Sequence, residues 1–327
     1  KNLDNFLDMD GIYIPKFNNN AKIALIDDMK NAYHITQPII TKTDKEDYKT
    51  VFSDSIMLNV SRGCTRGCRF CMSSYLYRPL RETTIKELVN IALKTRENTN
   101  LNKITLIGAA VGDYYDLEGL TKALESEGFQ IATPSLRIDS LSRETLETLK
   151  KSGLKSITIA PESISTLRER INKSISDEKI FSVIKNAVDL DFNIKLYFLI
   201  GIPYESKEDI EELANYIEKI ANMHKNRNYI KFSINPVIPK PQTPLQWEVY
   251  NFKEIKSKTR YLKKKLRKYN VKFESPKKGL IQYILSCGNR EVGAVIEKSL
   301  TEEVTLKEWQ SYLPNYNIND ELPWSKI

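Results

Sequence analysis

Three cysteines near the start of the chain form the pattern with the clearest chemistry. Cys64, Cys68 and Cys71 fall within eight residues, in the spacing C-x-x-x-C-x-x-C. Clustered thiolates are soft ligands that favour zinc or iron–sulfur clusters, and they do not resemble a disulfide framework. Gly63 and Gly67 each precede a cysteine and let the backbone pass close to a metal. The sequence therefore predicts a metal centre in this loop.

The number of available ligands favours one kind of centre. A structural zinc site takes four ligands, usually as two close pairs, and the chain offers only Cys287, His34 and His224 besides the three clustered thiols. A [4Fe–4S] cluster normally takes four cysteines, so three leave one iron open to a small-molecule ligand. Zinc and a simple electron-transfer cluster stay as alternatives, although an electron carrier does not need the large fold predicted next.

The elements that position this loop alternate regularly between strands and helices. Ser142 and Ser206 begin helices with N-cap signals. Such alternation predicts an α/β fold with a parallel sheet, which right-handed crossovers would curl into a partial (βα)6 barrel of the TIM type. An open α/β sheet is the alternative. The predicted strands are 56–60, 103–107, 130–137, 156–160, 193–200 and 229–235, and the intervening helices are near 84–97, 117–127, 142–152, 164–190 and 206–224.

The chain divides into three predicted parts. Residues 1–55 form a polar lead-in or linker, residues 56–247 form the partial barrel, and residues 248–327 form an α-rich cap containing a basic helix near 252–268 and a strand at 271–274. The cysteine loop follows the first strand, so it lies at the C-terminal mouth of the barrel, where such folds place their sites.

Composition describes an ordinary globular protein. The 327 residues are 41% hydrophobic and 28% charged, and no apolar run approaches the ~20 residues of a membrane span. Without a secretory segment, a cytoplasmic location is expected. The net charge of +8 derives largely from lysines and arginines in 253–278. That run suits either a nucleic-acid contact or a solvated helix face, and the second is favoured because no RNA-binding motif accompanies it.

The cysteine spacing, with Phe70 immediately before the last cysteine, resembles the radical S-adenosylmethionine (SAM) superfamily. The resemblance implies that the amino and carboxylate groups of SAM bind the open iron. It also implies that an electron, delivered by a ferredoxin- or flavodoxin-type donor, splits SAM into methionine and a 5′-deoxyadenosyl radical that abstracts hydrogen from a substrate.

The same resemblance assigns SAM-binding roles to residues at the strand ends. The turn at 108–113 would receive the amine, although Ala110 stands where the family has an acid, and Asp113 is the nearest carboxylate. Arg137 would pair with the SAM carboxylate or with Glu162, Glu162 would bind the ribose, and Arg168 or Lys173 would neutralise the carboxylate. The full set is Phe70, Gly108, Ala109, Ala110, Asp113, Ser135, Arg137, Glu162, Arg168, Lys173, Ile200, Gly201, Asn235, Pro236 and Val237.

The sequence of residues 61–71, followed by Y-R-P-x-R-E at 77–82, resembles a subgroup of radical SAM proteins. Members of this subgroup often carry a cobalamin-binding domain ahead of the barrel. This resemblance implies cobalamin-dependent methyl transfer to carbon and a lead-in that follows such a domain. The exit of the sixth strand also resembles methylthiotransferases and the Elongator radical SAM subunit, so a tRNA- or protein-modifying enzyme without cobalamin is the alternative. Cys287, the remaining thiol, is either a small buried hydrophobe or a catalytic partner.

Overall fold

The computed structural model describes residues 3–40, 45, 48–49, 52, 54–133, 136–226 and 228–326. Two layers are present, a set of parallel strands and the helices that cover one face of them. The strands are β1 (Ile56–Asn59), β2 (Ser61–Arg62), β3 (Arg81–Glu82), β4 (Lys103–Ile107), β5 (Gln130–Ala132), β6 (Ser156–Glu162), β7 (Asn193–Ile200), β8 (Ile230–Pro236) and β9 (Val271–Phe273).

Eleven α-helices connect or follow the strands in the described ranges. The longest begin with side-chain caps: Thr84 and Ser206 each form a reciprocal capping box that satisfies free backbone N–H groups. The helices are α1 (Ser73–Leu76), α2 (Ile85–Thr99), α3 (Leu117–Ser126), α4 (Arg143–Lys151), α5 (Ser165–Arg170), α6 (Asp177–Asp189), α7 (Lys207–Ala221), α8 (Phe252–Lys265), α9 (Pro276–Cys287), α10 (Val292–Lys298) and α11 (Leu306–Gln310).

Parallel strands occur at all six predicted positions, but β5 covers only three residues of the predicted strand 130–137, and residues 134–135 lie outside the described part of the chain. One sheet has the order β1-β4-β5 and another has the order β6-β7-β8-β9. A parallel bridge between Leu136 and Ile159 joins them, and the Leu136 N–H donates to the Thr158 carbonyl at 2.9 Å. Strand order therefore follows chain order, as a succession of right-handed βα units requires. The α/β prediction with a TIM-like parallel arrangement is confirmed.

The two faces of the sheet differ in burial. Along β7, Ile194, Leu196 and Phe198 are fully buried, whereas Lys195 is exposed and Tyr197 is half-buried. Because side chains alternate between faces along a strand, one face packs under the helices and the other is open. A closed eight-stranded barrel fills its interior with side chains. Here the inner face is left accessible.

The C-terminal part extends the sheet, which the sequence did not predict. The strand expected inside a separate cap is β9, and it pairs in parallel with β8 through Phe232–Val271 and Ile234–Phe273. Helix α8 makes the crossover between the two strands. The alternation of strands and helices therefore continues past residue 247, despite the prolines that follow β8. The division of the chain at 247 stays a prediction, but the two sides share one sheet.

A buried ion pair also joins α8 to the sheet. The Nζ of Lys258 lies 2.8 Å from the Glu205 carboxylate in the turn after β7. The Glu205 side chain has no exposed surface, and its Oε2 accepts the Gly201 N–H at 2.8 Å. Burial raises the pKa of Glu205, an effect that Lys258 opposes. Within the described ranges, no helix combines the length and apolarity needed to cross a membrane.

Removing Lys258 should destabilise the fold strongly. K258M leaves the Glu205 carboxylate buried without a cation, which costs about 3–5 kcal/mol. The double variant E205Q/K258M removes both charges and should recover most of that loss. Urea denaturation measures both effects. K256M, two residues earlier on α8 and exposed, is the control, and equal unfolding midpoints for K256M and K258M would contradict the prediction.

Candidate active site

The cysteine loop lies at the C-terminal end of β1, between the short antiparallel strands β2 and β3. Gly63 and Gly67 have φ values of +86° and +70°, a left-handed conformation that favours glycine. A Cβ at Gly63 would collide with the carbonyl oxygens of Tyr77 and Pro79. The backbone before Cys64 is therefore enclosed by the chain that returns from α1, and glycine is required there on two separate grounds.

A second strand exit holds the same loop from the other side. The Asn172 Nδ2 donates to the carbonyls of Gly67 at 2.9 Å and Arg66 at 3.2 Å. The Arg69 N–H donates to the carbonyl of Ile171 at 3.0 Å. These bonds connect residues that lie about a hundred positions apart. The loop between the first two cysteines is thus fixed by the segment that follows β6 and α5.

The three thiols form a free donor set in this loop. Cys64 and Cys68 are buried and Cys71 is half-buried. Burial raises the pKa of the metal-free Cys68 thiol, while the nearby Lys173 and Arg137 act to lower it. No group of three Cys, His, Asp or Glu side chains able to hold one metal ion occurs among the described residues. Thiols that come from one glycine-containing loop fit a polynuclear cluster, in which each cysteine binds a different iron.

Four charged side chains connect the loop to the next two strand exits. Arg66 donates to both carboxylate oxygens of Asp113, at 2.8 and 2.6 Å, and lies 3.2 Å from Asp139. The hydrogen bond to Asp113 raises the pKa of Arg66. Arg137 donates to Asp139 at 2.9 and 3.0 Å and lies 3.7 Å from Asp113. The predicted pairing of Arg137 with Glu162 is therefore wrong, because two nearer carboxylates take the guanidinium.

Glu162 has a different partner, Lys173. The Lys173 Nζ donates to its carboxylate at 2.6 Å, and both side chains are buried. Glu162 has a φ of +68°, and the pairing of β6 with β7 shifts register between Ile159 and Glu162. This irregularity turns the strand end at the mouth. Next to it, the Ser163 hydroxyl is buried without a hydrogen-bond partner in the described part of the chain. Ser135, another predicted SAM contact, lies outside the described residues.

Arg168 does not take the position predicted for it. Its side chain is 1% exposed, and it donates to the carbonyls of Ile175 and Ser163 and to the Asp177 carboxylate. All three guanidinium nitrogens are thus used inside the fold, where they join α5 to the start of α6. The prediction that Arg168 neutralises the SAM carboxylate is contradicted, and Lys173 is the candidate cation that remains from that segment.

Other predicted residues converge at the exits of β4, β7 and β8. Gly108 follows β4, and a Cβ there would lie 2.8 Å from the Ser61 Oγ, so this turn passes close to the strand that leads into the cysteine loop. Ala109 and Ala110 follow it and precede the 3-10 turn that contains Asp113. Phe70 packs against the core as a partly buried side chain.

The exits of β7 and β8 are side by side. Ile200 is in register with Pro236, and Leu199 with Asn235. The Val237 N–H donates to the Ile200 carbonyl at 2.8 Å. Gly201 follows with a φ of +79°. A cavity of about 1020 Å³ borders this edge, with Gly201, Val237 and Trp247 among its lining residues.

Cys287 is a structural thiol in this fold. It is 1% exposed, and its sulfur donates to the Pro239 carbonyl at 3.3 Å. Burial raises its pKa to about 11, an effect that Lys240 opposes. This burial favours the interpretation of Cys287 as a small buried side chain over that of a catalytic partner.

Three residues of the site were missed by sequence reasoning: Arg66, Asp139 and Asn172. Arg66 lies between two of the cysteines, and that position was a usable signal. The sequence contains no comparable signal for Asn172 or Asp139, because their roles depend on which loops the fold brings together.

Comparison with known proteins agrees with this geometry. Residues 58–217 match the radical SAM superfamily. The chain is 34% identical over 335 residues to the uncharacterized protein MJ0966 of Methanocaldococcus jannaschii, covering 98% of this chain and 71% of that protein. It is 28% identical over 181 residues to cytidylyl-2-hydroxyethylphosphonate methyltransferase of Streptomyces wedmorensis, covering 52% of this chain and 34% of that protein.

A solved structure shares the fold. The radical SAM methyltransferase TsrM of Kitasatospora setae, determined with cobalamin and a [4Fe–4S] cluster, superposes with a TM-score of 0.50 at 10% identity, over 60% of this chain and 39% of that one. The matched segments thus span about a third of the Streptomyces enzyme and about two fifths of TsrM.

The chain belongs to the radical SAM superfamily. It is accordingly an enzyme of the class that uses a [4Fe–4S] cluster and SAM. The resemblance inferred from the cysteine spacing is confirmed.

Gly63→Ala should prevent cluster assembly. The added methyl group meets two backbone carbonyls in a conformation that alanine rarely adopts. Anaerobic reconstitution followed by iron and sulfide analysis should give well under half of the wild-type content. Gly153→Ala is the matched control, because Gly153 has a φ of +93° but nothing within 4 Å of its added Cβ. Full cluster content in Gly63→Ala would refute the prediction.

Arg168→Met should act on stability and leave SAM affinity unchanged. The substitution deprives the partly exposed Asp177 of its cation and leaves two buried carbonyls without donors, which should cost about 1–3 kcal/mol for each carbonyl. Urea denaturation measures the loss, and equilibrium binding of SAM to the folded, reconstituted variant measures the affinity. A wild-type unfolding midpoint combined with at least tenfold weaker SAM binding would restore the original assignment.

Proposed function

We propose that this chain cleaves SAM reductively at a cluster held by Cys64, Cys68 and Cys71, and that it uses the resulting radical to functionalise an unactivated carbon of its substrate. The observation that carries the proposal is the position of the cysteine loop. It is fixed by backbone contacts at the C-terminal mouth of a parallel sheet whose inner face is open. A reactive group generated there would act at the strand ends, next to the less buried face of the sheet.

Each neighbouring strand exit has a role in this proposal. When bound, the cluster supplies one electron to SAM, which yields methionine and a 5′-deoxyadenosyl radical. The backbone of 108–110 accepts the SAM amine. Lys173, buried beside Cys68, attracts the SAM carboxylate. Glu162 orients the Lys173 ammonium group and binds the ribose. The turn at Gly201 and the backbone of Asn235, Pro236 and Val237 offer a flat surface for adenine.

The reaction that follows is proposed to be cobalamin-dependent methyl transfer to carbon. The Streptomyces relative is named as a methyltransferase, and TsrM is a radical SAM methyltransferase bound to cobalamin. Methylthiolation is less favoured, because that chemistry uses a second cluster with three more cysteines, and Cys287 is the only thiol left in the sequence. The proposal includes a cobalamin-binding domain that precedes the lead-in of residues 1–55, as the subgroup resemblance implies.

The lysines of α8 support a structural role better than an RNA contact. Lys265 lies 3.4 Å from Glu211, and Lys268 lies 3.9 Å from Glu218, both on α7. Lys263 lies over the Phe273 ring at 5.7 Å. Three lysines of the positive run therefore contact neighbouring elements. A small or lipid-like substrate suits this arrangement better than tRNA, and the reducing partner is proposed to be a ferredoxin or flavodoxin.

SAM cleavage tests the proposal directly. The reconstituted enzyme, supplied with dithionite or reduced flavodoxin, should release 5′-deoxyadenosine in amounts that exceed the enzyme. The C64A/C68A/C71A variant should release none, and C287A, which removes only the buried thiol, should release wild-type amounts. Chromatography of the quenched reaction measures the product.

Two results would contradict the proposal. One is the absence of 5′-deoxyadenosine under several reductants although the cluster is intact, which would indicate an electron carrier. The other is stoichiometric zinc that persists after iron reconstitution, which would indicate a structural metal site.

A further inference from the structure

Three lysines lie on the open face of the sheet. They are Lys195 of β7, Lys231 of β8 and Lys272 of β9, and all three are exposed. Lys195 is in register with Lys231, and Lys272 is in register with Ser233, two residues along β8 from Lys231. Since residues two apart on a strand share a face, the three ammonium groups belong to one surface, termed here the lysine patch.

This arrangement is electrostatically unfavourable in the unliganded protein. Neighbouring strands are about 4.8 Å apart, and like charges on directly paired positions destabilise a sheet. Among the described residues, none of the three lysines forms an ion pair within 4.0 Å. Lys195 instead makes a cation–π contact, since its Nζ lies 4.7 Å from the centre of the Tyr197 ring. Some exposed lysines elsewhere do lie close to a carboxylate, as Lys265 and Lys298 show.

The patch lies on the sheet face opposite the buried side chains of β7 and towards the N-terminal ends of the strands, whereas the cysteine loop follows the C-terminal end of β1. From Lys231 to Pro236 at the exit of β8 is about 16 Å at 3.3 Å per residue. Between the two ends, this face presents half-buried Tyr197, Leu199 and Asn235. The wall is therefore basic at one end, mixed apolar and polar in the middle, and lined by the SAM-binding exits at the other end.

We propose that the lysine patch binds the anionic group of a small organic substrate of the phosphate or phosphonate class. The other end of that substrate would extend along the sheet towards the cysteine loop. Ammonium groups are compact point charges that suit a multiply charged oxyanion, and a concave surface lined by one sign of charge concentrates its ligand. The proposal names the substrate class of the site under Proposed function and rests on it for the reaction, but anion binding can be measured without turnover.

Isothermal titration of the full chain with inorganic pyrophosphate tests this proposal. The wild-type protein should bind one equivalent, and K195M/K231M/K272M should bind at least tenfold more weakly, because methionine keeps the aliphatic stem and removes the charge. The single variant K231M should lose less of the affinity for pyrophosphate than the triple variant does. K86M/K94M/K185M is the matched control, since it removes three exposed lysines from α2 and α6, and it should bind as the wild type does.

Three results would overturn the proposal. Wild-type protein that fails to bind pyrophosphate, or binds it no better than acetate at the same ionic strength, would refute the oxyanion site. Equal losses in the patch and control variants would show a general charge effect. Sub-micromolar tRNA binding that is lost only in the patch variant would make this face a nucleic-acid contact. Because none of these measurements needs SAM cleavage, failure of the radical chemistry would be recognised separately.

Discussion

The hydrogen bonds between the cysteine loop and residues 171–172 are the contacts on which the site depends. A loop that supplies all three thiols has no second ligand segment to hold it, so its shape must be imposed by the surrounding backbone. Asn172 and Ile171 do this from one side, and the carbonyls of Tyr77 and Pro79 enclose Gly63 on the other. The parallel sheet brings these chain segments together, because the ends of β1 and β6 open on the same edge.

Paired charges, several of them buried, are concentrated where loops meet in this protein. Arg66, Asp113, Arg137 and Asp139 join three strand exits, Glu162 with Lys173 turns the end of β6, and Glu205 with Lys258 attaches α8. Charges removed from water stabilise a structure only when they are paired and hydrogen-bonded. Each of these groups meets that condition through a partner on a different element, so each pair specifies how the elements are arranged.

Sequence reasoning predicted the architecture well because the architecture follows from periodic patterns. The six strand runs, the helix starts at Ser142 and Ser206 and the position of the cysteine loop all appear as expected. Partner choice could not be predicted in the same way. Arg168 and Arg137 were assigned to SAM by their place in the family pattern, yet Arg168 is used by Ser163, Ile175 and Asp177, and Arg137 by Asp139. Which carboxylate lies nearest is set by loop geometry, and loop geometry has no simple periodicity. The strand at 271–273 was expected, but its place in the sheet was missed because the prolines after β8 suggested an end to the repeat.

The order in which the strands join the sheet has a consequence for biosynthesis. Apart from the short β2–β3 pair, each strand pairs with the preceding strand of the parallel set, so this set can form from the N-terminal side as the chain leaves the ribosome. The cysteines emerge early, with β1, but the residues that fix their loop emerge about a hundred positions later. Until residues 171 and 172 are made, the three thiols lack the contacts that shape their loop. During this time they can be oxidised or can bind another metal. The loop can therefore reach its native shape only after residue 172 has been synthesised.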